Sequence, residues 1–321
     1  MISKKPSNSC APGNAGRLYL IGYSDLATLC RHGCRKTCNH ACRRGEDINI
    51  LFWNTDIVKI NNEKSSRVNA CLIELLVEQD VDLLVLAEYR DNLHELCKLA
   101  STGETVKYAP IPNDGGCERI KGIIKKCYTI ESLHESTHYQ IVKTAVGSCN
   151  LLIAMVHNVS KIRPLQSLQN EILRQFHHDI IECEGVHDCY NTLAIGDYNV
   201  NPFEEACISA AFMHSIPFCE EAMRKPGKRF PHWFYNPTWK FFGARGIPYT
   251  TYYYNKGDIV KYYWNAFDQV MIRPSLIGAF DENELKIITH TKNHNLLYRG
   301  KPNRKMYSDH LPLYCSVKEG I

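Results

Sequence analysis

In the segment LAIGDYN (193–199) an apolar run delivers a carboxylate and an amide, Asp197 and Asn199, where the chain leaves its strand. Period-two geometry puts both on one face if the strand persists that far. One acidic oxygen beside one neutral amide suits a hard cation, a water or a phosphate. An Asx-rich turn has the same composition, so recurrence elsewhere in the chain must separate the two readings.

The arrangement recurs. Asn54 ends INILFWN, Glu88 lies near the end of VDLLVLAEY, and His157 follows LLIAMV. Asp268 sits among apolar neighbours in WNAFDQVMI, and Asp309-His310 opens the final run SDHLPLYCSV. One such residue is usually a cap or a satisfied core group. Six such ends, built from Asn, Glu, His and Asp without a single Lys, point to convergence. Gathering several carboxylates without a cation costs several kcal/mol in repulsion and desolvation, so a divalent metal is expected among them.

The elements that must position these residues are short strands and amphipathic helices. Strands are expected over 48–54, 81–89, 150–159, 193–199, 264–272 and 308–317, with a further one over 284–290. The runs 119–130 and 139–147 read as paired strands. Apolar spacing at 68, 72, 75 and 76 predicts a helix over 65–79, and similar spacing predicts one over 165–184. Another helix is expected over 91–100. A further helix is expected over 203–213, with Asn201 as cap and Pro202 at the first helical position. Strict alternation of strand and helix is absent. That argues for an α/β fold of two sheets with helices outside, a four-layer sandwich in one domain.

Among the 321 residues, 44% are hydrophobic and 22% charged, an ordinary globular composition. A formal net charge of +4 is too small to assign a nucleic-acid partner on charge alone. No apolar run reaches the ~18–20 residues that span a bilayer, so no membrane insertion is expected. RLYLIGYSDLATL is interrupted by Asp25 and lacks a signal-peptide core. The protein reads as soluble and cytoplasmic, and no protein partner is inferable. Among fifteen cysteines, Cys71, Cys149, Cys207 and Cys315 stand singly in apolar surroundings, where a thiol behaves as a small hydrophobe. The exception is CRHGCRKTCNHAC, with Cys30, Cys34, Cys38 and Cys42 each four apart. On a helix they would share a face and suit zinc, although the spacing differs from common zinc knuckles. A basic or redox-sensitive tail and a segment without function remain open beside it. Residues 1–46 are accordingly a Cys/Arg-rich N-terminal extension, and 47–321 the catalytic domain.

INILFWN, LLVLAEYRD, LIAMVHN, IGDYNVNP, FDQVMI and SDHLPL resemble, in order, the motif series of the endonuclease/exonuclease/phosphatase superfamily, the DNase I-like fold. The resemblance runs from about Ile48 to Val317 and leaves the N-terminal extension outside. It implies a hydrolase acting on phosphate esters with Mg²⁺ or Mn²⁺. Glu88 would be the principal metal ligand, with Asn54 and Asp309 near it. Asp197 would orient and deprotonate the attacking water, and Asn199 would hold that water or a phosphate oxygen. Asp268 would orient His310, and either this pair or Asp197 would serve as base. His157 would contact the scissile phosphate and stabilise the pentavalent state, with protonation of the leaving group as a further role. Tyr198 stands where many relatives carry Phe and Ala87 where Gln often precedes the glutamate; neither removes a ligand.

The shared motifs do not choose the phosphate ester. Arg90 in EYRD matches a similar run in DNase I, which suggests a groove-contacting arginine. Residues 224–265 mix Arg224, Lys225, Lys228, Arg229 and Lys240 with Trp233, Phe234, Tyr235 and Trp239. Cations for phosphates and rings for bases are what strand binding requires, and the same rings could pack back onto the sandwich. The expected function is a divalent-metal-dependent phosphodiesterase of the nuclease type, with cutting within a strand or from its end left open. The alternative is a phosphodiesterase or phosphatase acting on a lipid head group or inositol phosphate. A non-catalytic binding module would be expected to have lost site residues, yet every expected position is filled.

Overall fold

Alternation in the first strand, β1 (Asp47–Ile57), sets the layering. Ile48, Ile50 and Phe52 enter one core, while Leu51, Trp53 and Ile57 enter another. In a pleated strand, odd and even positions face opposite sides, so one strand buried on both faces serves two interfaces. The computed structural model describes residues 47–57, 62–101, 107–160, 166–224, 232–256 and 262–319. The extension at 1–46, with Cys30, Cys34, Cys38 and Cys42, lies outside them, as do Lys225, Lys228 and Arg229.

After β1, α1 (Asn62–Glu78) leads to β2 (Leu83–Tyr89), α2 (Leu93–Leu99), β3 (Tyr108–Pro110) and β4 (Ile120–Lys125). Then follow β5 (Glu131–Ser136), β6 (Tyr139–Val146), β7 (Cys149–His157), α3 (Gln166–Val186) and β8 (Thr192–Asp197). Shorter pieces come next: α4 (Glu205–Ile208), β9 (Ser215–Ile216), α5 (Cys219–Ala222), β10 (Phe234–Tyr235) and β11 (Tyr252–Tyr253). β12 (Trp264–Asn265), β13 (Asp268–Ile272), β14 (Lys286–Ile287), β15 (Leu297–Tyr298), β16 (Lys301–Pro302) and β17 (Leu313–Lys318) close the chain.

A six-stranded sheet runs β14-β17-β1-β2-β4-β3 and a seven-stranded sheet runs β5-β6-β7-β8-β13-β10-β9. Between them lies a core that includes Ile50, Phe52 and Val85 from the first sheet and Ile153, Ile195 and Val270 from the second. The outer face of the first sheet packs on Val68, Leu72 and Leu75 of α1. The outer face of the second packs on Leu173, Phe176 and Ile180 of α3. The result is the expected four-layer sandwich. No helix among the described residues is long and apolar enough to cross a membrane.

Besides the short edge pair β9–β10, each sheet contains one parallel pair joined by a long crossover helix, β1-α1-β2 and β7-α3-β8. Parallel pairing requires such a crossover and brings both carboxyl ends to the same edge of the sheet. Those four ends carry Asn54, Glu88, His157 and Asp197. Ligands in open α/β sheets bind outside the carboxyl ends of strands, and this edge is where the topology gathers these polar side chains.

The structure corrects several local expectations. The runs 119–130 and 139–147 do not pair: β4 joins β2 and β3 in one sheet, while β6 joins β5 and β7 in the other. The helix expected over 203–213 shrinks to Glu205–Ile208 because Asn201 does not cap it. Instead the Asn201 side chain accepts from the Ala266 amide and donates to Asn265, stitching the turn to β12. The strand over 284–290 reduces to Lys286–Ile287. Cys71, Cys207 and Cys315 are buried as expected, but Cys149 is partly exposed. In the aromatic insert, Phe234 and Tyr235 belong to the two cores and the Trp233 indole donates to the Ala222 carbonyl. These rings hold the sandwich together.

Candidate active site

A β-bulge brings the first two side chains to the edge. Asn54 pairs with Ala87 and Ile57 with Tyr89, so Thr55 and Asp56 together stand opposite Glu88. Thr55 Oγ1 lies 3.2 Å and 3.0 Å from the Ala87 and Glu88 carbonyls, to which it donates. Glu88 takes φ +50°, Asp56 +51° and Asn199 +54°, conformations that non-glycine residues adopt at a cost. All three line one cavity of about 830 Å³ together with Asn54, Asp197, Asp309 and His310.

Gly196 sets the approach of the second sheet's strands. A Cβ there would lie 1.9 Å from the Val156 carbonyl oxygen, so only glycine permits the close β7–β8 contact beside Asp197. Across the other neighbour, Asp197 stands directly opposite Asp268 in the β8–β13 register. Two carboxylates in that position repel, and the surrounding donors compensate. Asn54 Nδ2 donates to Asp197 Oδ2 at 3.0 Å, and the Asn199 amide donates to Asp197 Oδ1 at 2.9 Å. His310 Nδ1 lies 2.9 Å from Asp268 Oδ2 and 3.1 Å from Oδ1, with Nε2 3.9 Å from Asp197 Oδ2.

His310 is held in a loop ahead of β17. Trp53 Nε1 donates to its carbonyl at 3.0 Å, and its amide donates to Ser308 Oγ. Ser308 in turn donates to the Asn54 carbonyl at 2.6 Å, tying the loop to the end of β1. Tyr252 covers the imidazole with its ring centroid 4.6 Å away. His157 Nε2 lies 3.5 Å from Glu88 Oε1 and 3.8 Å from Asp197 Oδ2, while its buried Nδ1 has no partner among the described residues.

Burial raises the Glu88 carboxyl; nearby His310 opposes this, and Asp56 and Asp309 add to it. Burial likewise pushes Asp197 up to about 7, with Asp268 adding and His310 opposing. For His310, burial works against the charge, but Asp268, Asp197 and Asp309 outweigh it and lift the imidazole to about 10. His157 goes the other way, down to about 3, through burial and then the charges of Arg119, His310 and His138. The site therefore pairs a cationic histidine with a neutral one.

Asp197, Asp268 and His310 form a group of ligand atoms within 4.8 Å of one another that can hold a metal ion. His310 Nδ1 is committed to Asp268, so this trio also works as an internal ion pair. An oxygen-rich set of Glu88, Asn54 and Asp309 lines the cavity beside it, and these are donor types that Mg²⁺ and Mn²⁺ accept. Burial, with Asp56 and Asp309 adding to it, disfavours a charged Glu88, and a divalent cation held by these oxygens would favour that charge, so the residues fit such an ion. Arg304 Nε lies 3.2 Å from Asp56 Oδ2 and 3.5 Å from Asp309 Oδ2.

Seven of the eight expected catalytic and metal residues line this cavity or adjoin it through His310 and Asp197: Asn54, Glu88, Asp197, Asn199, Asp268, Asp309 and His310. The eighth, His157, reaches Glu88 and Asp197. The Asn199 amide group is partly spent, because Nδ2 donates to the Asn158 carbonyl at 3.0 Å. Arg90 is exposed and is not part of the cavity wall; it lies near Lys121, whose pKa it helps lower after burial. Sequence reasoning missed Asp56, Arg304 and the rings of Phe203, Tyr252, Tyr254, Tyr262 and Phe267, all of which line the cavity. Asp56 follows Asn54 by two positions, the offset that drew attention to Asp197 and Asn199.

No protein-family model matches the chain, and no curated protein matches it in sequence. Solved structures share its fold. The chain is 17% identical to TDP2 from C. elegans, with a TM-score of 0.53 over 85% of this chain and 75% of that one. It is 18% identical to D. rerio TDP2 complexed with single strand DNA product, with a TM-score of 0.51 over 84% and 98%. An endonuclease/exonuclease/phosphatase family protein from Bacteroides thetaiotaomicron is 12% identical, with a TM-score of 0.53 over 86% and 98%. The chain thus has the fold of the endonuclease/exonuclease/phosphatase superfamily, the DNase I-like sandwich.

Proposed function

We propose that the protein is a divalent-metal-dependent phosphodiesterase that hydrolyses nucleic acid. The observation that carries this reading is the buried Asp197–Asp268–His310 array, set beside Glu88 and Asn54 at the carboxyl ends of two parallel strand pairs. Glu88, Asn54 and Asp309 would hold Mg²⁺ or Mn²⁺, which when bound polarises the phosphate and stabilises charge on the leaving oxygen.

The chain's own residues do the rest. Asp197 receives the proton of the attacking water, its carboxylate fixed by Asn54 and the Asn199 amide. A carboxyl raised towards neutrality suits that task, because a base works best with a pKa near the operating pH. His310, kept protonated by Asp268, donates from Nε2 to a phosphate oxygen. His157 donates from the other side as a neutral imidazole. Both are preorganised donors aimed where negative charge develops. D. rerio TDP2, which shares the fold, forms a complex with single strand DNA product, and this favours nucleic acid among the esters the fold serves. Cytoplasmic residence and the division into an extension at 1–46 and a catalytic domain at 47–321 belong to the same proposal.

Labelled single- and double-stranded DNA and RNA, a phospholipid and an inositol phosphate test it, each with Mg²⁺, Mn²⁺ or EDTA. Nucleic acid should be cut with either metal and left intact with EDTA. His310→Ala should abolish cutting while circular dichroism stays native. Cleavage that survives EDTA or that substitution refutes the mechanism, and cleavage confined to the lipid or inositol arm refutes the substrate.

A further inference from the structure

We infer that the ring-walled part of the cavity receives a single unpaired nucleobase adjoining the phosphate that is cut. This rests on the phosphodiesterase reading above. Two groups of rings line the same cavity. In the first, Tyr252 lies beside His310 and stacks near-parallel on Phe267, with centroids 5.2 Å apart at 26°, and on Tyr254 at 6.4 Å and 13°. In the second, Phe203 and Tyr262 lie 5.0 Å apart, backed by Trp239 and Phe242 against Phe203. The outermost rings, Tyr254 and Tyr262, are 40% and 53% exposed. Aromatic surface held by firm supports and left open to a cavity is what a flat guest requires.

Charge narrows the guest. Arg304 is the one Lys or Arg among the described residues lining the cavity, which also presents Asp56, Glu88, Glu204 and Asp309. A run of several phosphates needs several cations along its track. One phosphate, held beside His310 and Arg304 and followed by a neutral ring, does not. A base that is paired and stacked in a duplex has its faces and edge covered. A base taken between two aromatic groups must be out of the stack or in a single strand. Asn265 supplies an edge contact: its Oδ1 accepts from Asn201 Nδ2 at 3.0 Å, which fixes the amide and leaves Nδ2 as the donor for the base.

The test removes either the base or the ring. Single-stranded oligonucleotides with a defined cleavage position are compared with versions carrying a base-free tetrahydrofuran residue on one side of it or the other. Wild type is set against Tyr254→Leu and Tyr262→Leu. Losing the base on one side should cost wild type about tenfold in kcat/KM, mostly in KM. The variants should show that loss on the intact strand and little further loss on the base-free one. Equal losses on both substrates, or a wild type indifferent to base removal on either side, would overturn the inference. A binding arm does not depend on turnover: a strand carrying 2-aminopurine, titrated in Ca²⁺, should be quenched by wild type and far less by the variants. Absence of that quenching overturns the ring slot even if cutting is observed. Quenching without metal-dependent cutting leaves the slot standing and removes the phosphodiesterase reading.

Discussion

At one end of the β8–β13 pair, Asp197 lies directly across from Asp268; at the other, Arg273 and Thr192 close on Glu184 of α3. Both ends are buried and both carry charge, but only the second is saturated. Arg273 Nε and Nη2 donate to the two Glu184 oxygens at 2.7 Å and 3.0 Å. Its Nη1 donates to the Trp233 carbonyl, Thr192 Oγ1 donates to Glu184, and the guanidinium lies 3.9 Å over the Phe234 ring. Nothing there awaits a ligand. The Asp197 end stacks two opposed carboxylates, a His157 Nδ1 without a partner among the described residues and three residues at positive φ into one edge. Buried charge is fully paired at one end of these two strands and crowded at the other, which is the end that the proposed chemistry uses.

Substitutions at the two ends should therefore behave in opposite ways. Asp197→Asn should lower the cleavage rate by about 10²–10⁴-fold, the range of a lost general base. Its melting temperature should hold or rise, because a repulsive neighbour of Asp268 is gone. A thermal scan beside the kinetics checks both. Arg273→Ala should instead cost about 3–5 kcal/mol of stability in urea titration, the penalty for leaving one partner of a buried pair uncompensated. Activity per folded molecule should be kept.

A smaller effect separates a satisfied carboxylate at the surface from both. Hydrogen bonds from Thr291 and Asn293 hold Glu74 of α1 down at about 2. Its contribution is present above the unfolded value of 4.5 and is lost as pH falls through about 2. Glu74→Gln should thus be less stable than wild type at neutral pH, and the difference should close as pH falls from about 4.5 towards 2. A constant difference across that range would mean that the charge is irrelevant there.

The crowded end was the more legible in the sequence. Asn54, Glu88, His157 and Asp197 each follow an apolar run, and the crossover helices α1 and α3 were visible in their own periodicity. Partner choice was not legible. Segments 120–125 and 139–146 both look like strands, but which sheet each joins depends on α1, α3 and the β5 hairpin, whose ESLHES carries almost no apolar signal. The turn after Asp197 deceived for a related reason: Asn201 and Pro202 are good helix starters, yet the Asn201 side chain is taken by Ala266 and Asn265, sixty-odd residues on. Most of the cavity rings were hidden in a Tyr-rich stretch, while Phe203 and the Trp239 and Phe242 that back it come from elsewhere in the chain. Arg304 sits in KPNRKM, where no apolar run marks its place.

The most direct measurement is a Mn²⁺ titration followed by electron paramagnetic resonance, on wild type and on Glu88→Gln. Wild type should take up the ion at the Glu88–Asn54–Asp309 edge, and Glu88→Gln, with its fold intact by circular dichroism, should lose that binding. Equal affinity in the two proteins would contradict the account at its root.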